Sequence, residues 1–159
     1  MSTIIPYKST NMNLNPFAAF ELQDKNSLST LIKYAQNNEV ELPPIFKLFI
    51  STFKIESATP PEDHYLVHSD PELGFEGFEI SISERIDVYA DSPEFYQSKA
   101  LLPFADSGIY STGICIGIGS DNTDKVFIED ELSPIGLKEI APNIFEFVSQ
   151  LKFDHFDNY

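Results

Sequence analysis

The chain has no tryptophan, a single cysteine (Cys115), a single arginine (Arg85) and three histidines (His64, His68, His155) in 159 residues. Each scarcity excludes something. One cysteine can neither close a disulfide within the chain nor build a cysteine-based zinc site. Lysine and arginine together number 10 against 25 aspartates and glutamates, a net charge of −15. Such a chain has no basic face to offer DNA or RNA, so nucleic-acid binding is not expected. An anionic membrane surface would repel it for the same reason. No apolar run approaches the ~18 residues needed to cross a bilayer. The opening Met1-Ser2-Thr3-Ile4-Ile5-Pro6-Tyr7-Lys8 lacks the basic end and apolar stretch of a secretion signal. A cytoplasmic location is the expectation.

What is present is an ordinary core-forming composition, 42% hydrophobic and 13% aromatic. The length suits a single domain over residues 1–159, with residues 1–16 as an N-terminal arm. Leu28, Leu31, Ile32 and Ala35 recur at helical spacing, with Ser27 as a cap and Asn37-Asn38 as a stop. A second helix follows Leu42-Pro43-Pro44, because proline is well placed in a first turn. Its residues Ile45, Phe46, Leu48, Phe49, Ile50 and Phe53 predict a mostly buried element. Prolines, aspartates and serines over 56–73 predict turns and loops. Alternation through Phe75, Phe78, Ile80 and Ile82 predicts a strand, and Ile86, Val88 and Tyr89 a further one. Segments 111–119 and 125–130, separated by Ser120-Asp121-Asn122-Thr123-Asp124, predict a hairpin, and 142–152 a closing helix. The aromatic tail from Phe153 to Tyr159 is expected to pack on the body or touch a neighbour. Consecutive strands without intervening helices favour antiparallel pairing, hence an α+β fold of order helix, helix, strands, helix.

Three segments together resemble the SMI1/KNR4 (SUKH) superfamily. They are Leu42-Pro43-Pro44-Ile45-Phe46-Lys47-Leu48-Phe49-Ile50, then Leu102-Pro103-Phe104-Ala105-Asp106 with the strands 113–118 and 125–130, and Ile140-Ala141-Pro142-Asn143-Ile144-Phe145-Glu146-Phe147-Val148. The resemblance covers roughly residues 28–153. Ser51-Thr52-Phe53-Lys54 stands where that family usually carries Asn-Gly. The resemblance implies a mainly antiparallel sheet flanked by helices. Many bacterial members are immunity proteins that bind and neutralise a toxin domain, often a nuclease or deaminase. Eukaryotic members are regulatory interaction proteins. It implies no catalytic residues.

The acids are unevenly spread. Residues 62–94 hold ten of them and one base. This array, interleaved with aromatics, is the candidate partner-binding surface: Glu62, Asp63, Asp70, Glu72, Phe75, Glu76, Phe78, Glu79, Asp87, Tyr89 and Asp91. Carboxylates would steer a basic partner while aromatics anchor it; the competing reading is a solvated, solubilising face. Other signals are weaker. Asp121-x-x-Asp124 lacks the glycine of a calcium loop and suits a turn. Gly117-x-Gly119 leads into another strand, so it reads as a close backbone approach rather than a nucleotide loop. Cys115 sits among isoleucines as a small apolar residue. His64 and His68 match no usual zinc spacing, and no serine lies in Gly-x-Ser-x-Gly. The expectation is therefore a non-enzymatic immunity protein, without cofactor or metal, that occludes a basic cognate toxin as a monomer or weak homodimer. A regulatory domain with an endogenous partner is the alternative.

Overall fold

The structure, a computed structural model, describes residues 15–70, 75, 77, 78, 82–106, 113–129 and 136–155. The expected arm lies outside these except at Asn15 and Pro16. There Asn15 accepts the Phe17 N–H and starts a 3₁₀ turn, Pro16–Ala19.

Helix α1 (Lys25–Asn37) is capped three residues earlier than expected: Asp24, not Ser27, is the cap and accepts from the Ser27 N–H at 2.7 Å. Helix α2 (Pro44–Thr52) buries Phe46, Phe49 and Ile50 but leaves Ile45 and Leu48 exposed. It is amphipathic rather than mostly buried. Its N-terminus is completed from far along the chain. Pro43 and Pro44 have no N–H to satisfy. The Ile45 and Phe46 N–H groups both donate to the carboxylate of Asp124, at 3.0 and 2.8 Å. The Lys47 N–H returns to the Pro43 carbonyl. Every orphan donor of that helix end is thereby accounted for.

Short strands β1 (Glu21–Leu22) and β2 (Phe53–Lys54) pair antiparallel, followed by a 3₁₀ turn at Ile55–Ser57. Strand β3 (His64–His68) lies inside the stretch expected to be loop. It pairs antiparallel with β9 (Leu151–His155), His64 opposite His155 and His68 opposite Leu151. The closing helix α4 (Ile144–Ser149) is therefore shorter than expected, and the first part of the aromatic tail is strand. Residues 156–159 lie outside the described ones.

The main sheet is an antiparallel meander: β4 (Gly77–Phe78), β5 (Leu101–Asp106), β6 (Gly113–Gly117), β7 (Val126–Glu129) and β8 (Leu137–Ala141), hydrogen-bonded in that order. The expected α+β class and the β6–β7 hairpin are both present, whereas β8 was not foreseen. In β5 the register slips between Pro103 and Ala105. Phe104 is the extra residue of this bulge, fully buried against the rings of Phe46, Phe78 and Phe147. Pro103, lacking an N–H, is tolerated in a central strand because the ladder is interrupted beside it.

The strand expected through Ile86, Val88 and Tyr89 is instead helix α3 (Ile82–Ala90). Ile82, Ile86 and Tyr89 stand four and three apart, the spacing of a helical stripe. The alternation from Phe78 to Ser83 had concealed that period. Ile86 is completely buried, and α3 packs on β5 and α1. A π-helical turn, Pro93–Gln97, follows. The Gln97 amide donates to the carbonyls of Tyr89 and Ala90, satisfying the end of α3.

The glycines near the hairpin mark a close approach. A Cβ on Gly117 would lie 2.0 Å from the Asn122 carbonyl oxygen. The Asn122 side chain accepts from the Gly119 N–H at 2.8 Å and donates to the Lys99 carbonyl at 3.1 Å. The segment holds a turn in place.

Candidate functional site

The expected surface residues fall into three groups. Asp87, Tyr89 and Asp91 belong to α3 and its C-terminal end. Glu62 and Asp63 precede β3 and Asp70 follows it, all three exposed. Phe75 and Phe78 pack with each other at 5.0 Å, Phe75 also against Phe147 and Phe78 against Phe20. Glu72, Glu76 and Glu79 lie outside the described residues.

The first group carries the surface. Glu84, Asp87 and Asp91 are spaced three and four apart, so they share one face of α3, and all are exposed, as is Glu94 one turn further on. This arrangement opposes helix formation. Like charges at such spacings destabilise a helix by about 0.2–0.5 kcal/mol per pair. Acids at a helix C-terminus also meet the negative end of the dipole, and no base stands in the last turn of α3. Glu84, in the first turn, meets the positive end of the dipole, whereas Asp87 and Asp91 lie toward its negative end and do not serve the helix in this way. The Asp87 carboxylate accepts a hydrogen bond from the Tyr34 hydroxyl of α1. That bond holds the Tyr34 phenol above its ordinary pKa.

Aromatics flank this ridge. Tyr89 is half-buried, and its burial raises its phenol pKa. Phe95 and Tyr96 of the π-turn are half-buried and meet edge to face at 4.8 Å. Lys99 lies 4.2 Å from the Phe95 ring centroid and marks where the acidic character ends. Glu84 and Glu94 are two of the ten acids of residues 62–94, and Phe95 and Tyr96 directly follow that stretch as aromatics bordered by charge. The helical period of α3 would have grouped the two acids with Asp87 and Asp91, but the strand reading hid it.

The other sequence signals resolve into structure. Asp124 is buried, and its carboxylate is engaged with α2. His68 is buried: its Nδ1 accepts the Asp70 N–H at 2.9 Å, so Nε2 carries the proton shared with the Gln150 side chain. His64 Nδ1 donates to the Glu62 carbonyl. Cys115 is buried. Among the described residues no group of three or more His, Cys, Asp or Glu is placed to hold a metal ion, and no helix is long and apolar enough to cross a membrane. No family model matches the chain, and no curated protein matches it in sequence.

Proposed function

We propose that this chain is an immunity-type protein of the SUKH kind, working by binding rather than catalysis, that neutralises a toxin domain with a basic surface by covering it. The observation that carries this reading is the α3 ridge: Glu84, Asp87, Asp91 and Glu94 exposed beside half-buried Tyr89, Phe95 and Tyr96. The charges would accelerate encounter with a cationic surface, and the aromatics supply the anchor. A toxin acting on nucleic acid must be basic where it holds phosphate, so a carboxylate ridge fits the place its substrate would occupy. The three-segment sequence resemblance points the same way.

The test is co-expression with the toxin domain encoded beside the gene, then pull-down at low and high salt. The expected result is growth rescue and a complex weakened by salt. A Glu84→Lys/Asp91→Lys variant should associate roughly tenfold or more slowly, since steering by surface charge acts on the on-rate. Rescue with unchanged association and salt response in that variant would remove α3 from the interface. Absence of both rescue and complex would overturn the immunity reading in favour of a regulatory domain.

A further inference from the structure

A cavity of about 430 Å³ opens between the 3₁₀ turn after β2, strand β3 and strand β4. Its walls include Pro60, Tyr65, Phe75 and Phe78, with Glu56 and Gly77. The Phe75 and Phe78 rings stand at 67° to each other, forming an aromatic corner. Among the described residues, a Cβ at Gly77 would meet nothing within 4 Å. Glu56 is exposed. The Lys54 ammonium is held above its ordinary pKa by Asp24 first, with Glu21 and then Glu56 adding the smallest contributions. Lys54 itself is committed to Asp24 at 2.9 Å.

Resting on the reading of the chain as a binder of a basic protein, we propose that this cavity receives a lysine or arginine side chain of that partner. The chemistry is specific. Aromatic faces attract a cation through their quadrupole, and the apolar walls cover the methylene stem that such side chains bury behind their charge. A neutral apolar group would remove water from Glu56 and return nothing, whereas a cation pairs with it. The volume is at the small end of ligand sites, which suits one side chain rather than a folded segment. The site is separate in composition from the α3 ridge and gives the partner a second point of attachment.

The test uses the full chain, labelled for amide NMR. It is titrated with the blocked tripeptide Ac-Gly-Arg-Gly-NH₂ and with the same peptide carrying neutral citrulline. The arginine peptide should shift Tyr65, Phe75, Gly77 and Phe78 and bind roughly three- to tenfold more tightly than the citrulline peptide, the range of a modest cation–π and charge contribution. Glu56→Gln, a change at an exposed position, should reduce the preference to its cation–π part, about threefold or less, while leaving the fold's spectrum intact. Equal affinity for the two peptides, shifts confined to α3, or no shift at all would overturn the proposal. Its failure is distinguishable from failure of the immunity reading, which is decided by toxin rescue and not by this peptide. A seated arginine without rescue would uphold the cavity and assign it to an endogenous basic partner.

Discussion

Asp124 is the most informative residue to perturb. It is 4% exposed, it adopts a positive φ of 67°, and its two oxygens take the two free N–H groups at the start of α2. Three substitutions separate these roles. Asp124→Asn keeps one acceptor and tolerates the left-handed backbone, so it should cost about 1.5 kcal/mol, the lower end of the range for a hydrogen bond to a charged group. Asp124→Gly keeps the backbone and removes the cap. The capping loss of about 1 kcal/mol, plus about 1–3 kcal/mol for burying an unsatisfied donor, puts it near 3 kcal/mol. Asp124→Ala adds roughly 1 kcal/mol of strain for a side-chain-bearing residue at positive φ. The assay is urea unfolding followed by circular dichroism, with the slope checked for constancy. For a chain of this size 3 kcal/mol corresponds to a fall in Tm of about 6–12 °C. A Gly variant within about 0.5 kcal/mol of the parent, or an Ala variant more stable than the Gly, would refute the reasoning, because surface changes alone give effects of that size.

Other outcomes follow from the same packing. Gly117→Ala should destabilise by about 3 kcal/mol, since its Cβ would meet backbone that cannot move aside freely; urea midpoints check this. Phe104→Ala should cost about 3–5 kcal/mol by emptying the bulge site, with a matching loss of Tm. Asp24 is held at a pKa of about 2 by Lys54 first, then by Ser27, against an ordinary value of 3.8. A lowered carboxylate stabilises the fold above its unfolded pKa and loses that contribution as pH falls through its folded value. The Tm gap between the parent and Asp24→Asn should therefore be full at pH 5 and close between about pH 4 and 2. Tyr34→Phe should loosen α3 from α1, read as faster amide exchange in α3 with the β5–β6 ladder unchanged.

How much of this was legible in the sequence depended on whether a period was local and uncontested. Helix α1 announced itself because Leu28, Leu31 and Ala35 lie on one face with polar residues between them. The β6–β7 hairpin was visible because its turn formers sit between two apolar runs. Helix α3 was not, because β-branched residues and serine mimic a strand over a few residues, and only burial of Ile86 against β5 decides between the periods. Strand β3 was hidden between prolines and acids, and its partner β9 lies on the far side of the meander in sequence. Asp124 read as turn chemistry, which it is; nothing local could reveal that its carboxylate caps the start of a helix, 79 residues before it at Ile45. Of the candidate surface, the structure puts Asp87 and Tyr89 on α3 with Asp91 just past its end, while Phe75 and Phe78 pack on the core and line the cavity beside β3 and β4.

The pairing of β3 with β9 also bears on how the chain is made. Gln150, which holds His68 just ahead of β9, follows it by 82 positions. At translation rates of about 5–20 residues per second, β3 waits roughly 4–16 seconds before its partner exists. During that interval Leu66 and Val67 are an unpaired apolar edge. Glu62 and Asp63 on one side and Asp70 on the other flank them, the placement that keeps nascent strands from pairing with the wrong chain. Acids so placed would protect that edge while the chain is being made, whatever the finished surface goes on to bind.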